Sequence, residues 1–100
     1  MTVKDSARQL PEGSTLVSCD EHQGTRPLRR LELRLWKVPE EGGEPRWLWE
    51  VEGTIRYRYY HRWGQFETHR IVAERKGRAL ITRIMTGASP SWWRKATRGA

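Results

Sequence analysis

The alternation over residues 47–63 constrains this chain more than any other feature. The odd positions are Trp47, Trp49, Val51, Gly53, Ile55, Tyr57, Tyr59, His61 and Trp63, and seven of these nine are apolar or aromatic. Between them stand Leu48, Glu50, Glu52, Thr54, Arg56, Arg58, Tyr60 and Arg62, which are mostly charged or polar. A period of two is the mark of extended chain with one buried face. Seventeen extended residues would reach roughly 56 Å, while a domain of this size has a radius of gyration near ~13 Å. The segment must therefore turn or bend, and Gly53 is the obvious place. A two-residue turn at Glu52-Gly53 would pair Val51 with Thr54 and mix the faces. A three-residue connection keeps Val51 opposite Ile55 and Trp49 opposite Tyr57, but puts Thr54 where a left-handed residue is wanted. A continuous strand coiled sharply at Gly53 also preserves the phase, and is the preferred reading.

The flanking segments extend the β pattern. Leu31, Leu33 and Leu35 alternate with Glu32 and Arg34, so residues 28–38 read as a strand, with a slip of phase at Trp36 and Val38 that suggests a bulge or a strand end. Pro39-Glu40-Glu41-Gly42-Gly43-Glu44-Pro45 is an exposed loop. Residues 68–86 read as a hairpin. Arg75-Lys76-Gly77 supplies a three-residue turn with Gly in the left-handed position, pairing Val72 with Leu80 and Ile71 with Ile81. The rival is a helix over 78–86, because Leu80, Ile81, Ile84 and Met85 also match helical spacing. Ser89-Pro90 resembles a helix start, which predicts a short C-terminal helix over about 90–98. Residues 1–27 read as an irregular arm in which Leu16-Val17-Ser18-Cys19 could add a short edge strand. The expected fold is mainly β: a small curved antiparallel sheet or partly open barrel of roughly four or five strands over residues 28–100, with that short helix.

Charge indicates the partner. The chain of 100 residues carries a net +7, with a pI near 10.3. Residues 1–52 hold eight Lys/Arg against ten Asp/Glu, whereas residues 53–100 hold eleven against only Glu67 and Glu74. Such segregation points to an anionic partner, most often nucleic acid. Arginine outnumbers lysine fifteen to four, which suits phosphate, although coding bias also enriches arginine. Arg56, Arg58 and Arg62 share one strand phase with no acid near them, and Tyr60 lies in the same phase as a base-stacking candidate. Arg70, Arg75, Lys76, Arg78 and Arg83 extend the basic set, and Arg94 and Lys95 beside Trp92 and Trp93 form a further one. Leu, Ile and Val total only 17, so Trp47, Trp49, Tyr57, Tyr59 and Trp63 are expected mostly in the core.

Other chemistry is less well supported. Cys19 and His22 have a spacing seen in zinc sites, with His61 and His69 as the other candidate ligands. There is no second Cys pair, however, and those two histidines stand eight apart around a turn, so no metal or other cofactor is expected. His61, Arg62, Glu67 and His69 surround one turn and would suit a small metal-independent ribonuclease if His61 or His69 lay within reach of Glu67. No phosphate-cradling glycine loop occurs. Uninterrupted apolar runs reach three residues, as in Ile71-Val72-Ala73, far from the roughly 20 that span a bilayer. With a single cysteine and no apolar leader, a cytoplasmic location is expected. The function so indicated is non-enzymatic DNA or RNA binding through the phosphate backbone. The alternative is a protein–protein module of the kind mobile elements encode, an inhibitor or adaptor docking on an acidic or nucleic-acid-binding surface of a larger enzyme.

Overall fold

The computed structural model describes residues 10–25 and 28–86. Four strands, β1 (Thr15–Thr25), β2 (Leu28–Val38), β3 (Arg46–Ile55) and β4 (Arg58–Trp63), precede one helix, α1 (Arg70–Met85). Each strand pairs antiparallel with the next in a single sheet of order β1-β2-β3-β4. The protein is mainly β, as the alternation predicts. The sheet is open, with β1 and β4 at its edges, so the barrel alternative does not hold.

Register decides where the apolar side chains go. Leu31, Leu33 and Leu35 on β2 stand opposite Gly53, Val51 and Trp49 on β3, so all six positions share one face. α1 covers that face with Ala73, Gly77, Ile81 and Ile84, all buried and spaced three or four apart. Ile55 and Tyr60 complete the cluster. Trp36 and Val38 lie on the opposite face. β2 ends there without a bulge, and the irregularity falls instead in β1, between Leu16 and Ser18. Val38 and Leu48 are buried behind the sheet, outside the main cluster.

Two expectations are overturned. Residues 15–25 form an 11-residue edge strand rather than an arm. Residues 70–85 form a helix rather than a hairpin, because Ala73, Gly77, Ile81 and Ile84 then share one face that the sheet buries, with Gly77 at the closest approach. A Cβ there would sit 2.5 Å from Leu33 Cδ1 and 3.2 Å from Trp49 Cβ, so glycine lets the helix backbone approach the sheet. At the other end of α1, Arg29 is buried to 6% exposure and its Nη1 donates to the Ile84 carbonyl at 2.5 Å. A guanidinium at a helix C-terminus satisfies an orphan carbonyl and complements the macrodipole. α1 contacts β1, β2 and β3, and its backbone stays clear of β4. The expected helix over 90–98 lies outside the described residues. Among the described residues no helix is long and apolar enough to cross a membrane.

Candidate nucleic-acid interface

The turn that separates β3 from β4 sets the geometry of this region. It falls at Arg56-Tyr57, not at Gly53: Ile55 pairs with Arg58, and the two residues between them have φ of 51° and 68°. Two successive positive φ values define the primed two-residue turn whose twist matches paired strands. Arg56 N–H donates to the Leu28 carbonyl at 2.8 Å, tying the turn to β2. Gly53 has a different use, since a Cβ there would fall 1.9 Å from the Arg30 carbonyl oxygen. The two-residue turn inverts the phase of β4 relative to a bent strand. Arg58, Tyr60 and Arg62 therefore face the helix side, and Tyr59, His61 and Trp63 face the other.

This inversion reassigns the aromatics. Tyr60 is 5% exposed and belongs to the core, so it is no stacking residue. Its hydroxyl has no hydrogen-bond partner among the described residues. Tyr57 and Tyr59, expected in the core, are 86% and 51% exposed. Trp49 is buried, and Trp47 packs against the cluster beneath two cations, Lys37 Nζ and Arg70 Cζ, at 5.9 and 5.8 Å from its ring centroid.

Of the arginine row, Arg58 and Arg62 share a face and are exposed, while Arg56 occupies the turn. The helix adds Arg70, Arg75, Lys76, Arg78 and Arg83, all exposed on the same side of the sheet. Arg70 reaches Glu74 at 3.3 Å, Lys76 reaches Glu67 at 2.7 Å and Arg78 reaches Asp20 at 3.7 Å. These are surface pairs, individually weak. Arg75 and Arg78 border a shallow depression of about 310 Å³ with Ile71 and Glu74. Arg94 and Lys95 lie outside the described residues.

The opposite face of the sheet is acidic and internally paired, and sequence reading missed it. Arg34 on β2 lies between Glu32 at 2.6 Å, Glu52 at 2.6 Å and Glu50 at 3.3 Å. Glu50, with its side chain 8% exposed, also accepts from Trp36 Nε1 at 3.0 Å and lies 2.6 Å from His61 Nε2. Tyr59 Oη donates to Glu52. Burial works against the Glu52 carboxylate, but donation from Tyr59 and Arg34 outweighs it and holds its pKa below the ordinary value. Burial, then the bond to Glu52, pushes Tyr59 up to about 12. Cys19 Sγ lies 3.9 Å from Glu32, and burial followed by that carboxylate raises its thiol pKa. The sequence signal was the even phase of Glu32, Arg34, Glu50 and Glu52, which becomes a cluster only once the register Arg34 opposite Glu50 is known.

The expected catalytic group is dispersed. His61 meets Glu50 on the acidic face, Arg62 points to the helix side, Glu67 pairs with Lys76, and His69 precedes α1. Cys19 and His22 stand opposite Arg34 and Leu31, which puts them on opposite faces of β1. They cannot ligate one ion. Comparison with family models, curated proteins and solved structures finds no match to this chain.

Proposed function

We propose that this chain is a non-enzymatic, cytoplasmic nucleic-acid-binding protein that holds a phosphate backbone against its helix side. One observation carries the reading: the excess of cations lies on one face of the sheet, where Asp20, Glu67 and Glu74 offset only part of it. Arg58, Arg62, Arg70, Arg75, Lys76, Arg78 and Arg83 are exposed on the side that bears α1. Glu32, Glu50 and Glu52 lie on the other side, where Arg34 and His61 are already engaged with them. A polyanion approaching the two faces meets an excess of cations on one and a nearly balanced, internally paired set of charges on the other. The arrangement weakens the ribonuclease reading, because His61 meets Glu50 beside Glu32 and Glu52, while Glu67 is paired with Lys76.

The test is affinity against salt, by fluorescence anisotropy, for DNA and RNA in single- and double-stranded form. Each phosphate contact contributes about 0.9 to the slope of log affinity against log salt on duplex DNA, or about 0.7 on single strands. Replacing Arg75, Arg78 and Arg83 by Gln should flatten this negative slope by roughly two to three. Arg30→Gln, on the acidic face, should leave it unchanged. A parent protein without affinity for any nucleic acid at low salt overturns the proposal and favours docking on an acidic protein surface instead.

A further inference from the structure

Tyr57 sits in a backbone conformation that Gly, Asn or Asp ordinarily fills. The primed turn requires positive φ at both central residues, for which Asn-Gly and Gly-Gly are the usual solutions. This chain has Arg56 at 51° and Tyr57 at 68°. Side chains other than Gly, Asn and Asp are disfavoured there by the contact between Cβ and the carbonyl. Packing offers nothing in return, since Tyr57 is 86% exposed at the tip of the hairpin.

The other aromatics of the sheet all have structural uses. Trp49 and Tyr60 fill the core, and Trp47 lies under two cations. Trp36 and Tyr59 donate to carboxylates, and Trp63 meets His61 edge-on at 5.4 Å. Tyr57 makes no hydrogen bond or ring contact among the described residues. Its neighbours define what it can meet. Arg56 and Arg58 flank it, and the sequence has no acid from Gly53 to Phe66. Ile55, just before the turn, pairs with Arg29, which reaches the Ile84 carbonyl, so the last turn of α1 with Arg83 lies at the same end of the sheet.

From this we infer that Tyr57 is a stacking platform for an unpaired base of a single-stranded DNA or RNA whose phosphates lie on the neighbouring arginines. The inference rests on the nucleic-acid reading above and adds a preference for strands with free base faces. A projecting aromatic set among cations suits them, because every base has a π face and a duplex hides its own.

The variant Tyr57→Gly tests this cleanly, because glycine is favoured in the turn and melting should occur at the same temperature or higher. Tyr57→Phe keeps the ring. The probes are fluorescein-labelled oligo-dT, oligo-rU and a mixed-sequence DNA duplex. The parent should prefer the single strands. Tyr57→Gly should bind them roughly 5- to 150-fold more weakly, the effect of losing one base–aromatic stack. Its salt slope and duplex affinity should stay those of the parent, since stacking releases no counterions. Tyr57→Phe should bind within about twofold of the parent, as the ring is retained. If Tyr57→Gly binds single strands as tightly as the parent, this inference is wrong while salt-dependent binding leaves the charge reading standing. If the parent binds none of the probes at low salt, both fail together.

Discussion

Gly77→Ala sets helix propensity against packing in a way that tests the helix–sheet contact directly. Glycine in a helix interior costs about 0.8–1 kcal/mol relative to alanine, so propensity alone makes the variant more stable by that amount. The added methyl has to share space with Leu33 Cδ1 at 2.5 Å and with Trp49 Cβ and Cγ at 3.2 and 3.3 Å. Carbon pairs prefer about 3.5–4.0 Å, so Leu33 must retreat by ~1 Å or more. Leu33 is buried, at 3% exposure, and has no solvent to turn into. Overpacking of this kind costs about 1–3 kcal/mol, which leaves a net loss between about zero and 2 kcal/mol. A loss of 1 kcal/mol lowers Tm by about 4–8 °C in a domain of this size. Urea unfolding of Gly77→Ala, Leu33→Val and the double variant closes the cycle. Valine has no Cδ, so the double variant should be more stable than the sum of the singles by at least about 0.5 kcal/mol. A Gly77→Ala protein stabilised by the full propensity gain, with a double variant that is simply additive, would refute the close approach of α1 to β2.

Two further outcomes are expected. Tyr60→Phe should leave stability unchanged or raise it by up to about 1–3 kcal/mol in thermal or urea unfolding, because it removes a buried hydroxyl with no hydrogen-bond partner among the described residues. Glu52, with its pKa held low in the folded protein, contributes stability that is fully present above the ordinary carboxylate range and is lost as pH falls through the folded value. Tm measured from pH 7 downward should accordingly fall less steeply for Glu52→Gln than for the parent. At neutral pH that variant should be less stable by about 1–2 kcal/mol, because the charge-assisted bonds from Tyr59 and Arg34 are weakened.

What could be read from the sequence was set by period, and what was missed was set by single positions. Leu31 to Leu35 and Trp47 to Ile55 announce two paired strands because their apolar residues recur at every second position, broken only by Leu48 and Gly53. The turn after Ile55 was illegible because Arg-Tyr stands where Asn-Gly would have marked it. Placing the bend at Gly53 shifted the phase of β4 by one residue, and with it exchanged the roles of Tyr59 and Tyr60. Gly77 misled in the opposite sense: a glycine in an otherwise good helix former reads as a turn until the sheet beneath it is seen. β1 carried no pattern, because its side toward the helix holds Ser18, Asp20, His22 and Gly24 instead of aliphatics. The basic set over residues 53–83 was visible as composition. Its separation from Glu32, Glu50 and Glu52 required the register of β2, β3 and β4.

The outermost strand has a colloidal consequence. β1 runs for 11 residues along the border of an open sheet, and such a border is a template on which another chain can add a strand. Two copies meeting β1 to β1 in antiparallel fashion would bring Asp20 and Glu21 of one against the same pair of the other. The irregularity between Leu16 and Ser18 also breaks the even run of amides that a flat ribbon needs. Asp20 is already paired with Arg78 and Glu21 with Arg30, so a second strand adding here must crowd charged pairs on both faces of β1, which opposes edge-to-edge growth. The polarity that hid β1 from a pattern reading is what keeps its open border from collecting other strands.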